Sequence, residues 1–235
     1  MKTSIRPAFR LALGAAALWL LPACDGLFGG LYDNERAPQP GAEGDGYGFV
    51  TVSDGRAAGR LYLDATSYTA WTYIDLHARR VAAVEVTDST MAADGSLRGE
   101  PAEWDFALHH YDVRTHGGAA METPYTSLAE LAALPSLPAG PWREDEWTTD
   151  RVIIDLSGML DSVIVYQPTY VNTELSRWLD LDLSSMPPIY TASGRVYLLR
   201  MADGSVAALR FAGYTNAKGI KGYLTIDYLY PLTLE

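Results

Sequence analysis

Apolar residues that recur with a period of two, and almost nowhere with a period of 3.6, are what most restricts the folds open to this chain. In Ala70 to Leu76 (AWTYIDL), Trp71, Tyr73 and Asp75 alternate with Thr72, Ile74 and Leu76. β-Branched and aromatic side chains in that order suit a pleated, half-buried surface. The habit continues in Glu103 to Thr115, where Trp104, Phe106 and Leu108 fall on one face of a continuous strand, and His109 and His110 therefore point to opposite faces. It returns in Arg151 to Leu156, Arg195 to Met201, Val206 to Phe211 and Tyr223 to Tyr230. Asp203-Gly204 lies between two of these runs and tolerates the positive φ of a tight hairpin. Two short stretches read as helical: Ser127-Leu128-Ala129-Glu130 has capping-box spacing, and Asn172 to Trp178 opens on cap residues. The expectation is an all-β fold, a single antiparallel β-sandwich or distorted barrel over residues 47–235, with one or two short peripheral helices.

The N-terminal residues bear on location instead of fold. Lys2, Arg6 and Arg10 precede the apolar run Leu11 to Leu21, which is too short to remain as a membrane span, so residues 1–23 are expected to be a signal peptide. Leu21-Pro22-Ala23-Cys24 resembles a bacterial lipobox, which implies lipidation at Cys24, although Pro22 departs from the usual pattern. Cys24 is the single cysteine, so the folded domain has neither a disulfide framework nor a thiolate metal site. Residues 24–46 are rich in Gly, Pro and acidic residues and read as a flexible tether reaching on the order of 70 Å when extended. Loss of residues 1–23 moves the formal net charge from −11 to −14, which makes nucleic acid a poor partner.

Few motifs carry chemistry. No nucleophile elbow, phosphate loop, zinc-protease helix or calcium loop occurs, so no enzyme is expected. The histidines, His77, His109, His110 and His116, read as structural. Met159 (in SGMLD) and Met186 (in SSMPPIY) stand out because each falls in a stretch that reads as a loop and not as a strand. Pro187 and Pro188 stiffen the second of these loops. A loop thioether either plugs a core or ligates a soft metal, and methionine is an axial ligand of haem iron. Spacing leaves both alternatives open.

SYTAWTYIDL (Ser67 to Leu76), WDFALHHYDVRTHGGAAMET (Trp104 to Thr123), SGMLD and the closing RVYLLRMADGSVAALRFAGYTNAKGIKGYLTIDYLYPL (Arg195 to Leu232) together resemble the HmuY-like family of haemophore lipoproteins. The resemblance implies a surface-displayed lipoprotein of the outer membrane that serves iron acquisition. Such a protein takes haem from host haemoproteins or free pools and passes it to a TonB-dependent outer-membrane receptor. It further implies axial ligation by Met159 and Met186, whose separation of 27 residues is similar to that of methionine-type relatives, since no histidine follows His116. Tyr166, Tyr170, Trp178 and Tyr190 would pack near the porphyrin. THGGAAM (Thr115 to Met121) is shorter than the insertion of histidine-type relatives, and His116 falls where asparagine is frequent. The alternative is a non-haem lipoprotein that binds a glycan, peptide or protein on the same scaffold, with Trp142 and Trp147 suited to a sugar face.

Overall fold

The computed structural model describes residues 47–50, 58–182, 184 and 188–234. The expected signal peptide, the lipidation site Cys24, the tether and Met186 lie outside the described residues. Of the described residues, Asp182, Ser184, Pro188 and Ile189 belong to a separate unit, in which the Ser184 amide and hydroxyl both donate to Asp182 Oδ1 at 2.9 and 2.6 Å.

The main unit is built of antiparallel strands, as the period-two pattern predicts. Strands β1 (Gly48–Val50), β2 (Ala58–Asp64), β3 (Ala70–Asp75), β4 (Arg80–Glu85), β5 (Phe106–His109), β6 (Asp112–Thr115) and β7 (Ala119–Glu122) precede helix α1 (Leu128–Ala132). After it come β8 (Arg143–Glu144), β9 (Glu146–Asp155), β10 (Val165–Val171), β11 (Leu179–Asp182) and β12 (Ile189–Ala192). The chain closes with β13 (Val196–Arg200), β14 (Val206–Thr215) and β15 (Lys221–Leu229). A seven-stranded sheet has the order β1-β2-β15-β14-β13-β7-β8, and a four-stranded sheet the order β4-β3-β5-β6. β9 with β10 and β11 with β12 form two-stranded ribbons, and no sheet closes into a barrel among the described residues.

The main core lies between the two large sheets. Leu61, Leu63, Tyr197, Leu199, Leu209 and Ile226 meet Ile74, Phe106, Leu108 and Val113, all essentially without exposure. Alternation sends Val196 and Leu198 to the other face of β13, where Leu131 of α1 and Met121 cover them. The same rule sends Trp71, Tyr73 and Ala107 away from the main core and under Val152 of β9 and Val171 of β10. Both strand faces are thus buried, and the Trp71/Tyr73 and Ile74/Leu76 sets fill two different cores. At about 25 cal/mol per Å² of apolar surface, this double burial is the dominant stabilising term. Within the second core Arg114 pairs with Glu100, and its guanidinium lies 4.6 Å from the Trp71 ring centroid and 5.1 Å from that of Trp104. Pairing and aromatic faces offset the desolvation of that buried charge.

The local signals hold in detail. The Ser127 side chain accepts from the Glu130 amide at the start of α1. Asn172 Oδ1 accepts from the Leu175 amide at 2.9 Å, but the segment closes as a single 3₁₀ turn, Leu175–Trp178. Gly204, at φ 86°, turns β13 into β14. One expectation fails: Glu103 to Thr115 is not one strand. His110 adopts φ 55° and with Tyr111 forms a two-residue turn that pairs β5 with β6. Trp104 precedes β5 and packs in the second core, apart from Phe106 and Leu108.

Candidate ligand site

Met159 is carried at the tip of the β9–β10 ribbon, in a 3₁₀ turn formed by Met159–Asp161. Four backbone bonds close the tip: Met159 N to Leu156 O, Asp161 N to Gly158 O, Ser162 N to Met159 O and Val163 N to Gly158 O, each 2.9 to 3.0 Å. Gly158 is required there because a Cβ would lie 2.8 Å from that of Val163. Met159 is half-buried, while Leu160 is 88% and Val163 56% exposed. A tight turn presenting apolar side chains outward contrasts with the buried methionines Met121 and Met201, which fill cores.

Down the same ribbon, Ile153 pairs with Tyr166, and both line a cleft of 550 Å³ with Tyr111 and Arg151. This volume falls within the roughly 300–1,000 Å³ of small-molecule and cofactor sites. Arg151 donates from Nε to Asp112 Oδ1 at 2.7 Å. Burial pushes the Asp112 carboxyl above the usual carboxylate range although Arg151 pulls it down. The Tyr111 phenol is also raised, first by burial and then by the neighbouring Asp112, Tyr68 and Tyr190.

Beside Tyr111 lies an aromatic group drawn from four separate segments. Tyr190 stacks on Tyr214 with centroids 5.7 Å apart, and Lys221 Nζ sits 4.0 Å from the Tyr190 centroid. His110 Nδ1 is 3.0 Å from the Ala65 carbonyl, which can only accept, so Nδ1 carries the proton and Nε2 accepts from the Tyr214 hydroxyl at 2.9 Å. The Tyr68 ring lies 4.3 Å from that of His110.

The four aromatic residues singled out from sequence thus have different surroundings. Tyr166 lines the Tyr111 cleft, and Tyr190 joins the adjoining aromatic group. Tyr170 borders a different cavity of 460 Å³ beside Arg114 and packs edge-on, 5.1 Å between centroids, against Trp147, which lines the Tyr111 cleft. Trp178 has no exposed surface. It stacks on Phe211 and donates from Nε1 to the Tyr111 carbonyl at 3.0 Å, so in this structure it supports the cleft wall from behind and presents no face to a ligand. Tyr111, Asp112, Glu146, Asp150 and Arg151 are among the cleft residues that sequence reasoning did not single out. Arg151 opens a recognised strand run, but nothing local ties it to Asp112, 39 residues away.

The histidines have structural partners. His109 Nε2 meets the Tyr68 carbonyl at 2.8 Å, and burial holds its pKa down at about 4. His116 stacks on Trp104. Asp75, His77 and Asp105 gather their ligand atoms within 4.8 Å of one another. Those carboxylates accept from the Ala78 and Leu76 amides, from Arg80 and from His77, so the cluster is internally hydrogen-bonded.

The architecture is an all-β sandwich whose β9–β10 ribbon covers the second core, lines the Tyr111 cleft and ends in an apolar tip. The HmuY protein family model matches residues 67–228, and the chain belongs to that family. Among solved structures, a protein of Bacteroides vulgatus described as HmuY-like and haem-binding shares 46% identity over 80% of this chain and 100% of its own, with a TM-score of 0.74. One from Bacteroides fragilis described as a lipoprotein shares 46% over 79% and 95%, with a TM-score of 0.72. The apo HmuY analogue of Tannerella forsythia shares 26% over 73% and 94%, with a TM-score of 0.61. No curated protein matches the chain.

Proposed function

We propose that this protein is a surface-anchored haem-binding lipoprotein, a haemophore that captures haem through Met159 and Met186 and delivers it to a TonB-dependent outer-membrane receptor. The observation that carries the proposal is the place of Met159: a thioether in a closed turn at an exposed apolar ribbon tip, on the same ribbon whose Arg151, Ile153 and Tyr166 line a cleft. A haem supplies a flat apolar face, an iron with two axial positions and two propionates. Met159 and Met186 donate neutral sulfur to that iron, Tyr166 and Tyr111 offer apolar faces to the macrocycle, and Tyr190 lies in the adjoining aromatic group. The lipid at Cys24 and the tether through residue 46 hold the domain outside the outer membrane, where host haemoproteins are within reach. The protein binds and hands over; it does not catalyse.

Soft neutral donors favour the lower charge of ferrous iron. Titration of the purified protein with ferric and ferrous haem is expected to give a Soret band that sharpens on reduction. Met159→Ala and Met186→Ala should each weaken binding and shift that band. An unchanged spectrum in both variants removes the ligand assignment.

A second reading, a glycan-binding lipoprotein, draws on Trp147 and Tyr170, an exposed aromatic pair that could stack a sugar. Trp142, the other residue suited to a sugar face, is covered by the Arg200 guanidinium at 4.6 Å. Glycan binding lost in Trp147→Ala, with no uptake of haem, would favour this reading.

A further inference from the structure

The cleft beside the ribbon is not uniformly apolar. Its charged lining consists of Asp112, Glu146, Asp150 and Arg151, and Arg151 is the one cation among the described residues that form it. Glu146 and Asp150 are exposed and repel an anion, so an anionic ligand has a single place in the cleft where its charge is met.

The local build of Arg151 suits that task. Its Nε is engaged by Asp112, whose side chain is only 4% exposed, while the Arg151 side chain keeps 38% of its surface. Nη1 and Nη2 make no hydrogen bond to a described residue, so one edge of the guanidinium is held and the rest of the fork is left for a ligand. A planar fork matches a carboxylate with two parallel N–H···O bonds, which a lysine ammonium cannot reproduce. Arg151 and Ile153 lie two apart on one strand and face the same side, and Ile153 sits against Tyr166. The wall therefore changes along its length from cation to apolar surface, and β9 continues from there towards the turn of Met159.

We propose that Arg151 is the carboxylate anchor of this cleft, and that it makes the site select porphyrins bearing ionised propionates over esterified or uncharged ones. The proposal rests on the haem-binding reading and adds to it the orientation of the ligand: macrocycle against Tyr111, Ile153 and Tyr166, propionate on the Arg151 fork. Arg151 is then a specificity-determining residue, distinct from the groups that hold the iron.

The test compares ferrous haem with its dimethyl ester, which keeps iron and macrocycle but removes both negative charges, on the full chain and on Arg151→Gln and Arg151→Lys. The native protein is expected to prefer haem about tenfold, the scale of one well-made charged hydrogen-bonded contact. Arg151→Gln should abolish the preference while leaving ester affinity within about twofold, which also shows that the variant is folded. Arg151→Lys keeps a cation beside Asp112 and should retain only part of the preference, and it supplies the comparison should Arg151→Gln not fold. Undiminished preference for haem in either variant overturns the anchor while leaving haem binding intact. A native protein that takes up neither porphyrin overturns the haem reading and the anchor with it.

Discussion

Replacing Trp178 by Phe separates support of the cleft from contact with a ligand. Three observations set the size of the effect. The indole is fully buried, it stacks on Phe211 at 4.7 Å and edge-on to Tyr214 at 5.7 Å, and its N–H is donated to the Tyr111 carbonyl. A phenyl ring preserves much of the two aromatic contacts, so most of their roughly 0.5–1.5 kcal/mol each survives. It cannot donate a hydrogen bond, and leaving the part-buried Tyr111 carbonyl without this donor costs about 1–3 kcal/mol. The space of the lost five-membered ring adds a cavity term of about 1 kcal/mol. The expected loss is about 2–4 kcal/mol, with Trp178→Ala larger. For a domain of this size 1 kcal/mol corresponds to roughly 2–4 °C, so the melting temperature should fall by about 4–16 °C. Urea unfolding followed by far-UV circular dichroism measures the change, and a haem titration of the same sample should weaken without moving the Soret band. A stability change under about 0.5 kcal/mol, or a moved band at full stability, would refute Trp178 as an internal support.

Further expectations concern charge and close packing. His109 titrates near 4 in the folded protein against about 6.5 unfolded, so its contribution is present above pH 6.5 and is lost as pH falls towards 4. That amounts to about 3 kcal/mol, and urea unfolding of His109→Gln between pH 7 and 4 should show a shallower acid loss. His77 behaves in the opposite sense: its ring nitrogens lie 3.0 Å from Asp105 and Asp203, which raise its pKa against the opposing desolvation, so its stabilisation is complete below about 6.5 and is lost as pH rises through the folded value. With the ring 44% exposed the effect should stay below about 1 kcal/mol, and an NMR titration should show the His77 pKa falling in Asp203→Asn. Gly118→Ala would bring a Cβ to 2.6 Å from the Arg200 carbonyl, where β7 meets β13, and should lower stability by about 1–3 kcal/mol in urea unfolding.

Local chemistry was legible in the sequence wherever a residue acts on its near neighbours. The strand alternation, the Ser127 cap, the Asp203-Gly204 hairpin and the turn begun by Asn172 each depend on contacts within a few positions. The same alternation failed between Glu103 and Thr115, because a two-residue turn at His110-Tyr111 leaves the period almost unbroken and shows itself only in a backbone angle. Family membership was equally legible, since it rests on the order of residues from Ser67 to Leu232.

Tertiary structure decided what faces what. Trp178 bonds to Tyr111 across 67 positions, Tyr214 to His110 across 104, and Trp71 to Gln167 across 96. No pattern along the chain encodes those separations. They placed one candidate aromatic residue inside the core, set Tyr170 behind Trp147 at the border of a different cavity, and brought Arg151 and Trp147 to the Tyr111 cleft wall. The sequence by itself therefore determined the kind of fold, its family and the turn that carries Met159. The line between a side chain that touches a ligand and one that props up its neighbour came only from sheets packing face to face, because burial is a property of partners that lie far away along the chain.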